Sequence, residues 1–114
     1  MFSEEQRQLW IQEIYKDNPK VEVVVYEGLT VDCCRSVEAN FILRGIRYVN
    51  DFEYEKAIAD MNRSLDNKIE TIFLTCLPQY TSVASTLVRD VIRNGGDASQ
   101  FLPEPVVLSL AKIK

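Results

Sequence analysis

The chain has 114 residues, of which 46% are hydrophobic and 26% charged, proportions that are typical of a globular protein with one modest core. Its formal net charge of −4 disfavours a nucleic-acid or membrane-surface partner, because either would need a basic face. The sequence contains no histidine, which excludes Ser-His-Asp and Cys-His catalysis and every histidine-containing zinc site. If the chain is an enzyme, it works by binding and electrostatics, or its histidine is missing.

The cysteines and the first residues of the chain predict a cytoplasmic location. Cys33, Cys34 and Cys76 have neither the number nor the spacing of a disulfide framework, so we expect buried thiols in a reducing cytoplasm. Glu4 and Glu5 stand where a signal peptide would be basic, and no apolar run approaches membrane-spanning length. The prediction is a cytoplasmic protein without a membrane segment.

A helix is predicted at the beginning of the chain. Ser3 and Gln6 form a capping box, and apolar residues then recur at helical spacing until the sequence at Asp17–Pro19 ends the helix. The β-branched, nearly continuous stretch Val21–Tyr26 predicts a strand that is buried on both faces of a parallel sheet.

Two further strands, Ala39–Arg44 and Ile69–Cys76, are predicted with a helix between them. Before the first of these, Thr30 is predicted to cap a short helix that reaches Glu38. Between the strands, Asn50 with Glu53 forms a capping box for a helix that ends at about Leu65.

The last part of the chain predicts two helices. Ser85 or Thr86 begins the first, which Gly95 and Gly96 end, and a last helix covers Glu104–Ile113 after a proline. Strands that alternate with helices predict an α/β fold with a mainly parallel sheet in a single domain over residues 1–114. In such sheets ligands bind beyond the carboxyl ends of the strands.

The predicted helix after Arg47 has an apolar stripe with a line of polar residues along one side of it. On a helical wheel its buried stripe is predicted to be Tyr54, Ile58, Met61 and Leu65. One rim of that stripe carries Asp51, Glu55 and Asn62. This polar rim is either an ordinary helix boundary or one wall of a cleft for a ligand with a mixed apolar and amide arm.

Two arginines flank Gly45 at the end of the second predicted strand. Arg44 and Arg47 either clamp a phosphate, for which guanidinium forks are suited, or pair internally with Asp51 or Glu55. Hydroxyl residues also crowd the helix start within Tyr80–Asp90, where unpaired amides favour an anion. The alternative there is plain N-capping by Ser85.

Four motifs follow one another along the chain: RGIRYVNDFEYE at Arg44–Glu55, MNR at Met61–Arg63, IETIFL at Ile69–Leu74 and YTSVASTLVRDV at Tyr80–Val91. With the later GGD and FLP, they closely resemble bacterial phosphopantetheine adenylyltransferases over essentially the whole chain. The resemblance implies a Rossmann-like nucleotidyltransferase fold and transfer of an adenylyl group from ATP to 4'-phosphopantetheine in coenzyme A biosynthesis. It also implies Mg²⁺ accompanying ATP, coenzyme A as a product-like ligand and a homo-oligomer, a hexamer in the family.

The resemblance also implies roles for particular residues. Arg47 would stabilise the reacting phosphates, and Arg44 would hold the phosphate of phosphopantetheine. The residues implied for ATP are Gly45, Ile46, Arg47, Glu55, Tyr80, Thr81, Ser82, Val83, Ala84, Ser85 and Thr86. Those implied for phosphopantetheine are Leu29, Thr30, Arg44, Met61, Asn62, Leu65 and Asp90. No protein ligand for the metal is implied.

The sequence departs from the family pattern in two places. Ala84 replaces a family serine, which removes one hydroxyl donor and is expected to weaken anion binding. The family's HxGH motif and a later lysine are absent, and Met1 and Phe2 are similar to an internal pair that follows them. We therefore expect the carboxyl-terminal three-quarters of a nucleotidyltransferase domain, without a first βαβ unit of on the order of 30 to 40 residues.

Loss of that unit would remove the centre of the family's sheet. Two parallel strands with bare edges make a poor sheet, so the chain alone is expected to be marginally stable or prone to aggregation. An alternative function follows from the same departure. The chain would then be catalytically inactive, and would keep a coenzyme A or nucleotide cleft or assemble with intact subunits.

Overall fold

The structure, a computed structural model, describes residues 1–113. Its helices are α1 (Glu4–Ile14), α2 (Thr30–Ser36), α3 (Val49–Leu65), α4 (Ser85–Arg93) and α5 (Glu104–Ile113). Its strands are β1 (Phe41–Ile46) and β2 (Glu70–Thr75), and short 3-10 turns lie at Pro78–Tyr80 and Ser99–Phe101. None of the helices in this described part of the chain has the length and apolar character needed to cross a membrane.

The chain divides into two compact units. One is Tyr26–Ser82, and the other combines Met1–Val25 with the chain from Val83 onward. The single domain over residues 1–114 stays a prediction.

The unit Tyr26–Ser82 is a βαβ unit preceded by a short helix. Strands β1 and β2 pair in parallel along their full length, from Phe41 opposite Glu70 to Ile46 opposite Thr75. Helix α3 connects the strands and packs on the sheet, where the Phe52 ring meets the edge of Phe73 with centroids 5.8 Å apart. The α/β class and the parallel sheet are thus confirmed, as an incomplete Rossmann-like fold.

The predicted strand at Val21–Tyr26 is wrong. These residues form no regular element, and most of them are exposed. A strand holds its conformation only if a neighbouring strand pairs with its backbone groups. Among residues 1–113 the sheet consists of β1 and β2 alone, so this β-branched stretch has no ladder to join.

Helix α2 begins and ends differently from the prediction. Thr30 is its first residue and Leu29 occupies the cap, while the Thr30 hydroxyl meets the Tyr26 hydroxyl at 2.8 Å instead of capping an amide. The helix ends at Ser36, because Glu38 has the left-handed φ of 57° and cannot continue it.

Helix α3 ends at Leu65 as predicted, but its start differs. It begins at Val49, and the Asp51 carboxylate accepts hydrogen bonds from the backbone N–H groups of Arg47 (3.1 Å) and Tyr48 (3.2 Å). The predicted pair of Asn50 and Glu53 is therefore not the cap. Because the helix begins at Val49, Asp51 is its third residue, the position from which a side chain can accept a hydrogen bond from the cap backbone N–H.

The predicted buried stripe of α3 is also wrong. Tyr54 and Met61 are 68% and 69% exposed, whereas Asp51, Glu55 and Asn62 are half-buried. The helix is rotated so that its polar rim faces the sheet, where Arg44 of β1 binds Glu55. This ion pair holds the polar rim against the sheet. Of the predicted stripe, Ile58 lines the cavity beside the sheet, whereas Tyr54, Met61 and Leu65 are exposed.

A small core lies between α2 and the sheet. Val31, Cys34 and Ile69 are buried together, with Ala39 and Ile42 packed against them. The prediction of a buried thiol is confirmed for Cys34, whose pKa is raised by burial, while Cys33 and Cys76 are only partly buried.

The other unit is helical. Ser3 caps α1 by accepting a hydrogen bond from the backbone N–H of Gln6 (3.1 Å), as predicted, and α1 packs against α5. Trp10 is buried, and its ring meets that of Phe2 at 4.9 Å. Helix α5 has its predicted bounds, and α4 begins at Ser85 as predicted.

Candidate substrate-binding site

A cavity of about 200 Å³ opens in the unit Tyr26–Ser82, between α3, the sheet and the start of α2. Alternation along β1 places Ile42 and Arg44 on the same face of the sheet. Helical spacing places Glu55, Ala59 and Asn62 on one face of α3. The complete lining is Tyr26, Thr30, Ile42, Arg44, Glu55, Ile58, Ala59, Asn62 and Thr71.

The strongest polar contact in this cavity joins Arg44 to Glu55. Two parallel hydrogen bonds run from Nε to Oε2 (2.9 Å) and from Nη2 to Oε1 (2.8 Å). The Glu55 side chain is 11% exposed, and that of Arg44 is 53% exposed. The hydrogen bond from Arg44 lowers the pKa of Glu55, and the same bond raises the pKa of Arg44. Both groups are therefore charged at neutral pH.

Arg47 lies at the mouth of α3 and contacts the helix cap. Its Nε donates to Asp51 Oδ2 over 3.3 Å, and its guanidinium lies 5.8 Å from the centre of the Tyr48 ring. Hydrogen bonds from the backbone N–H groups of Arg47 and Tyr48 help to lower the pKa of Asp51.

The internal ion pairs envisaged from the sequence are thus present for both arginines. They do not remove the phosphate-binding interpretation, because a guanidinium carries five N–H donors. The bidentate contact with Glu55 uses two of the donors of Arg44. The Arg44 side chain is 53% exposed, so the guanidinium remains accessible to a ligand.

Several residues predicted for phosphopantetheine meet in the cavity. Thr30, Arg44 and Asn62 all line it, and so does Glu55, which was assigned to ATP. Leu29, Met61 and Leu65 do not line it and are at least half exposed. Two of the three residues of the polar rim of α3, Glu55 and Asn62, therefore form part of a cavity wall, and the cleft for a ligand stays a prediction.

Five residues of the cavity lining were not predicted as site residues from the sequence: Tyr26, Ile42, Ile58, Ala59 and Thr71. Strand alternation from Arg44 and helical spacing from Glu55 would have identified Ile42 and Ala59. Tyr26 could not be found in this way, because it follows a stretch without regular structure.

The segment predicted to lie beside adenine begins with a 3-10 turn at Pro78–Tyr80. The Thr81 hydroxyl lies 3.6 Å from the Cys76 Sγ at the end of β2. Gly45 and Ile46 end β1, so β1 and β2 both lead into segments predicted to bind ATP.

The remaining ATP residues belong to the helical unit. Ala84 occupies the N-cap of α4 and contributes no side-chain hydrogen bond, so N-capping by Ser85 is wrong. Ser85 and Thr86 are instead the first two helical residues, and α4 begins with no side-chain cap for its first-turn amides. Asp90 lies in the same helix, where it accepts a hydrogen bond from the Asn94 side chain.

No metal site is formed by the protein alone in the described part of the chain. Residues 1–113 contain no group of three or more Cys, Asp or Glu side chains arranged to hold an ion. Any metal would thus need other ligands, such as the phosphate oxygens of a nucleotide.

The parallel βαβ unit makes this an α/β protein, and a family model described as cytidylyltransferase-like matches residues 1–91, which gives its class as nucleotidyltransferase. The phosphopantetheine adenylyltransferase of Flavobacterium psychrophilum is 56% identical over 106 residues, which cover 93% of this chain and 70% of the relative. The phosphopantetheine adenylyltransferase of Bacteroides thetaiotaomicron is 52% identical over 103 residues, covering 90% and 68%. The chain belongs to the phosphopantetheine adenylyltransferase family of nucleotidyltransferases.

Proposed function

We propose that this chain acts in the transfer of an adenylyl group from ATP to 4'-phosphopantetheine, giving dephospho-coenzyme A and pyrophosphate. The observation that supports this proposal is the convergence of Thr30, Arg44 and Asn62 on one cavity. The sequence resemblance assigns these three residues to phosphopantetheine. They come from α2, β1 and α3, so their meeting depends on the fold and not on their spacing in the sequence.

The reaction needs two anions close together. A phosphate oxygen of 4'-phosphopantetheine attacks the α-phosphorus of ATP, a new P–O bond forms, and the bond to the pyrophosphate oxygen breaks. Because no protein nucleophile takes part, the protein contributes positioning and charge neutralisation. In our proposal Arg44 holds the acceptor phosphate and Arg47 contacts the phosphates of ATP.

The two carboxylates beside these arginines have a supporting role. Glu55 and Asp51 fix the guanidinium groups in position before a substrate binds. The cost of ordering a long side chain is then met during folding and does not recur on binding. Met61, Leu65 and Leu29 provide exposed apolar surface for the outer part of the pantetheine arm.

In the proposal, ATP is bound by the segment that leads into α4 and by the start of that helix. Tyr80, Thr81, Ser82 and Val83 would lie beside adenine, and Ser85 and Thr86 would bind pyrophosphate at the start of α4. An α-helix N-terminus presents N–H groups and a favourable dipole to an anion. Ala84 offers no hydroxyl there.

Mg²⁺ would arrive with ATP as part of the substrate. Phosphate oxygens and water can supply most of the ligands of Mg²⁺, so the proposal does not require a cluster of three acidic groups, and residues 1–113 contain none. We further propose that the protein works in the cytoplasm as a homo-oligomer, as the resemblance implies.

A second candidate function is binding without turnover. It is supported by the cavity itself, whose lining includes three of the residues assigned to phosphopantetheine and suits binding of this ligand whether or not it reacts. The chain would then keep the pantetheine cavity as a coenzyme A-binding module, or pair with intact subunits.

The experiment that tests the proposal measures ligand binding and pyrophosphate release by the 114-residue chain. Arg44→Ala should weaken binding of 4'-phosphopantetheine while leaving that of ATP unchanged. Arg47→Ala should lower kcat/KM by about 30- to 1000-fold, which corresponds to the roughly 2 to 4 kcal/mol lost with one preorganised donor.

Arg63→Ala is the matched control, because Arg63 is also ion-paired, to Glu70, but does not line the cavity. It should leave both binding and rate unchanged. Coenzyme A binding without any pyrophosphate release would support the second candidate. Failure of the chain to bind any of these ligands would refute both functions.

A further inference from the structure

One cavity-lining residue has no assigned role in the proposed function. Tyr26 is the first residue of the compact unit Tyr26–Ser82, and its side chain lines the 200 Å³ cavity. Its hydroxyl lies 2.8 Å from the Thr30 hydroxyl. Thr30 also lines the cavity, so the hydroxyl pair belongs to the cavity wall.

The pair has a defined hydrogen-bonding capacity. Each hydroxyl carries one proton, and the contact between the two oxygens uses one of them. Whichever residue donates to the other, one O–H remains to donate to a third group. The pair therefore supplies a single hydrogen-bond donor, together with acceptor lone pairs, to a ligand in the cavity.

The remaining lining indicates which chemical group would accept that hydrogen bond. The ion pair of Arg44 and Glu55 is suited to the charged end of a ligand, while Ile42, Ile58 and Ala59 supply an apolar surface. A volume of about 200 Å³ is smaller than the ~300 to 1,000 Å³ of complete ligand sites, so the cavity holds one part of a ligand. A neutral amide flanked by aliphatic carbon matches this lining.

We propose that Tyr26 is a specificity-determining residue of this site, whose hydroxyl, paired with Thr30, hydrogen-bonds an amide carbonyl of the pantetheine arm. This inference rests on the proposed function. It extends that function by separating recognition of the arm, through the hydroxyl pair, from recognition of the phosphate, through Arg44.

The test measures the affinity of the full 114-residue chain and its variants for three probes: 4'-phosphopantetheine, inorganic phosphate and ATP. Tyr26→Phe keeps the ring and removes only the hydroxyl. It should weaken 4'-phosphopantetheine binding about 2- to 10-fold, the effect of one neutral hydrogen bond, and leave the affinities for phosphate and ATP unchanged.

Thr30 provides a second test of the same role. Thr30→Val should weaken 4'-phosphopantetheine binding less than Tyr26→Phe does, because the Tyr26 O–H that donates to the carbonyl remains and loses only its hydrogen bond from Thr30, and Thr30→Ser should restore the affinity. Because Thr30 acts through Tyr26, the double variant Tyr26→Phe/Thr30→Val should bind about as well as Tyr26→Phe alone. Tyr15→Phe, at an exposed tyrosine of the helical unit, is the matched control and should change nothing.

The outcomes separate this inference from the proposed function. If the wild-type chain binds 4'-phosphopantetheine and Tyr26→Phe binds it with the same affinity, the role of Tyr26 is wrong and the proposed function still stands. Equal weakening of all three probes, with a lower unfolding midpoint, assigns Tyr26 a purely structural role and also overturns it. If the wild-type chain does not bind 4'-phosphopantetheine, the proposed function and this inference are both wrong.

Discussion

At the scale of single residues, the site consists of charges that are paired before any ligand is present. Arg44 and Glu55 form two hydrogen bonds, and Glu55 is largely removed from water. Breaking such a pair leaves one charge without its partner, which costs more than the pair itself contributes. Each arginine of the RGIR motif is therefore held by its own carboxylate on α3.

The pair of Arg44 and Glu55 makes stability depend on pH. Arg44 lowers the pKa of Glu55 in the folded chain, so the folded state binds this proton less readily than the unfolded state. The resulting stabilisation is complete above the ordinary glutamate pKa of about 4.3 and is lost as the pH falls through the lower folded value. We expect the thermal unfolding midpoint of the wild-type chain to decrease as the pH is lowered through this acid range.

Glu55→Gln isolates this contribution, because glutamine has nearly the same shape and no ionisable group. The wild-type chain should be more stable than the variant at pH 7, and the difference should shrink as the pH is lowered below about 4.3. Thermal unfolding followed by circular dichroism at several pH values measures it. A difference that stays constant from pH 7 to pH 3 would contradict the assignment.

At the scale of elements, α3 shows how one ion pair overrides a hydrophobic pattern. The wheel predicts an inward stripe that contains Tyr54 and Met61, yet both are exposed. The inward side carries Glu55 and Asn62, which line the cavity. Exposed apolar side chains such as Tyr54 and Met61, next to a polar cavity, form a surface that a ligand or another subunit can cover.

The end of α4 is an element whose geometry requires glycine. Gly95 has a φ of 75°, in the left-handed region where a side chain is strained. Gly95→Ala should therefore lower the free energy of unfolding by about 1 kcal/mol. Chemical denaturation followed by circular dichroism measures this change.

Gly45→Ala serves as the matched control for stability. An added Cβ at Gly45 meets no heavy atom within 4 Å, and Gly45 has no positive φ. Its free energy of unfolding should stay close to that of the wild-type chain. Equal destabilisation by both substitutions would show that the left-handed turn is not the cause at Gly95.

At the scale of the whole molecule, large apolar surfaces remain uncovered. On the sheet face opposite α3, Phe41 and Leu43 are each 63% exposed, and Leu74 is 56% exposed. Contiguous apolar surface of this kind marks an interaction site or promotes association. The expectation that the isolated chain is marginally stable or aggregation-prone stays a prediction, and these faces support it.

We expect the purified 114-residue chain to self-associate in a concentration-dependent manner. Leu43→Gln should shift the distribution toward smaller species, because it places a polar group in the centre of the exposed sheet face. Size-exclusion chromatography with light scattering measures the distribution. Lys68→Gln, which exchanges one exposed polar side chain for another, should leave it unchanged. A monodisperse monomer with a cooperative thermal transition would contradict the prediction.

Local signals in the sequence were sufficient for much of the fold. The cap of α1 at Ser3, the bounds of α5 and the existence of β1, α3 and β2 were predicted from local sequence patterns, although the predicted cap and buried stripe of α3 are wrong. The strand at Val21–Tyr26 was predicted wrongly, because β propensity cannot show whether a neighbouring strand is present. The motif residues Thr30, Arg44 and Asn62 were identified from the sequence, whereas Tyr26 was not.

The sequence by itself determined the family, through motifs that are long enough to match relatives at more than half identity. Only the tertiary structure decided which side of α3 faces the sheet, because the partner of Glu55 lies 11 residues away on β1. It also decided that the Tyr26 and Thr30 hydroxyls meet at the same cavity as Arg44. Periodicity describes one element at a time, whereas a binding site forms where several elements converge.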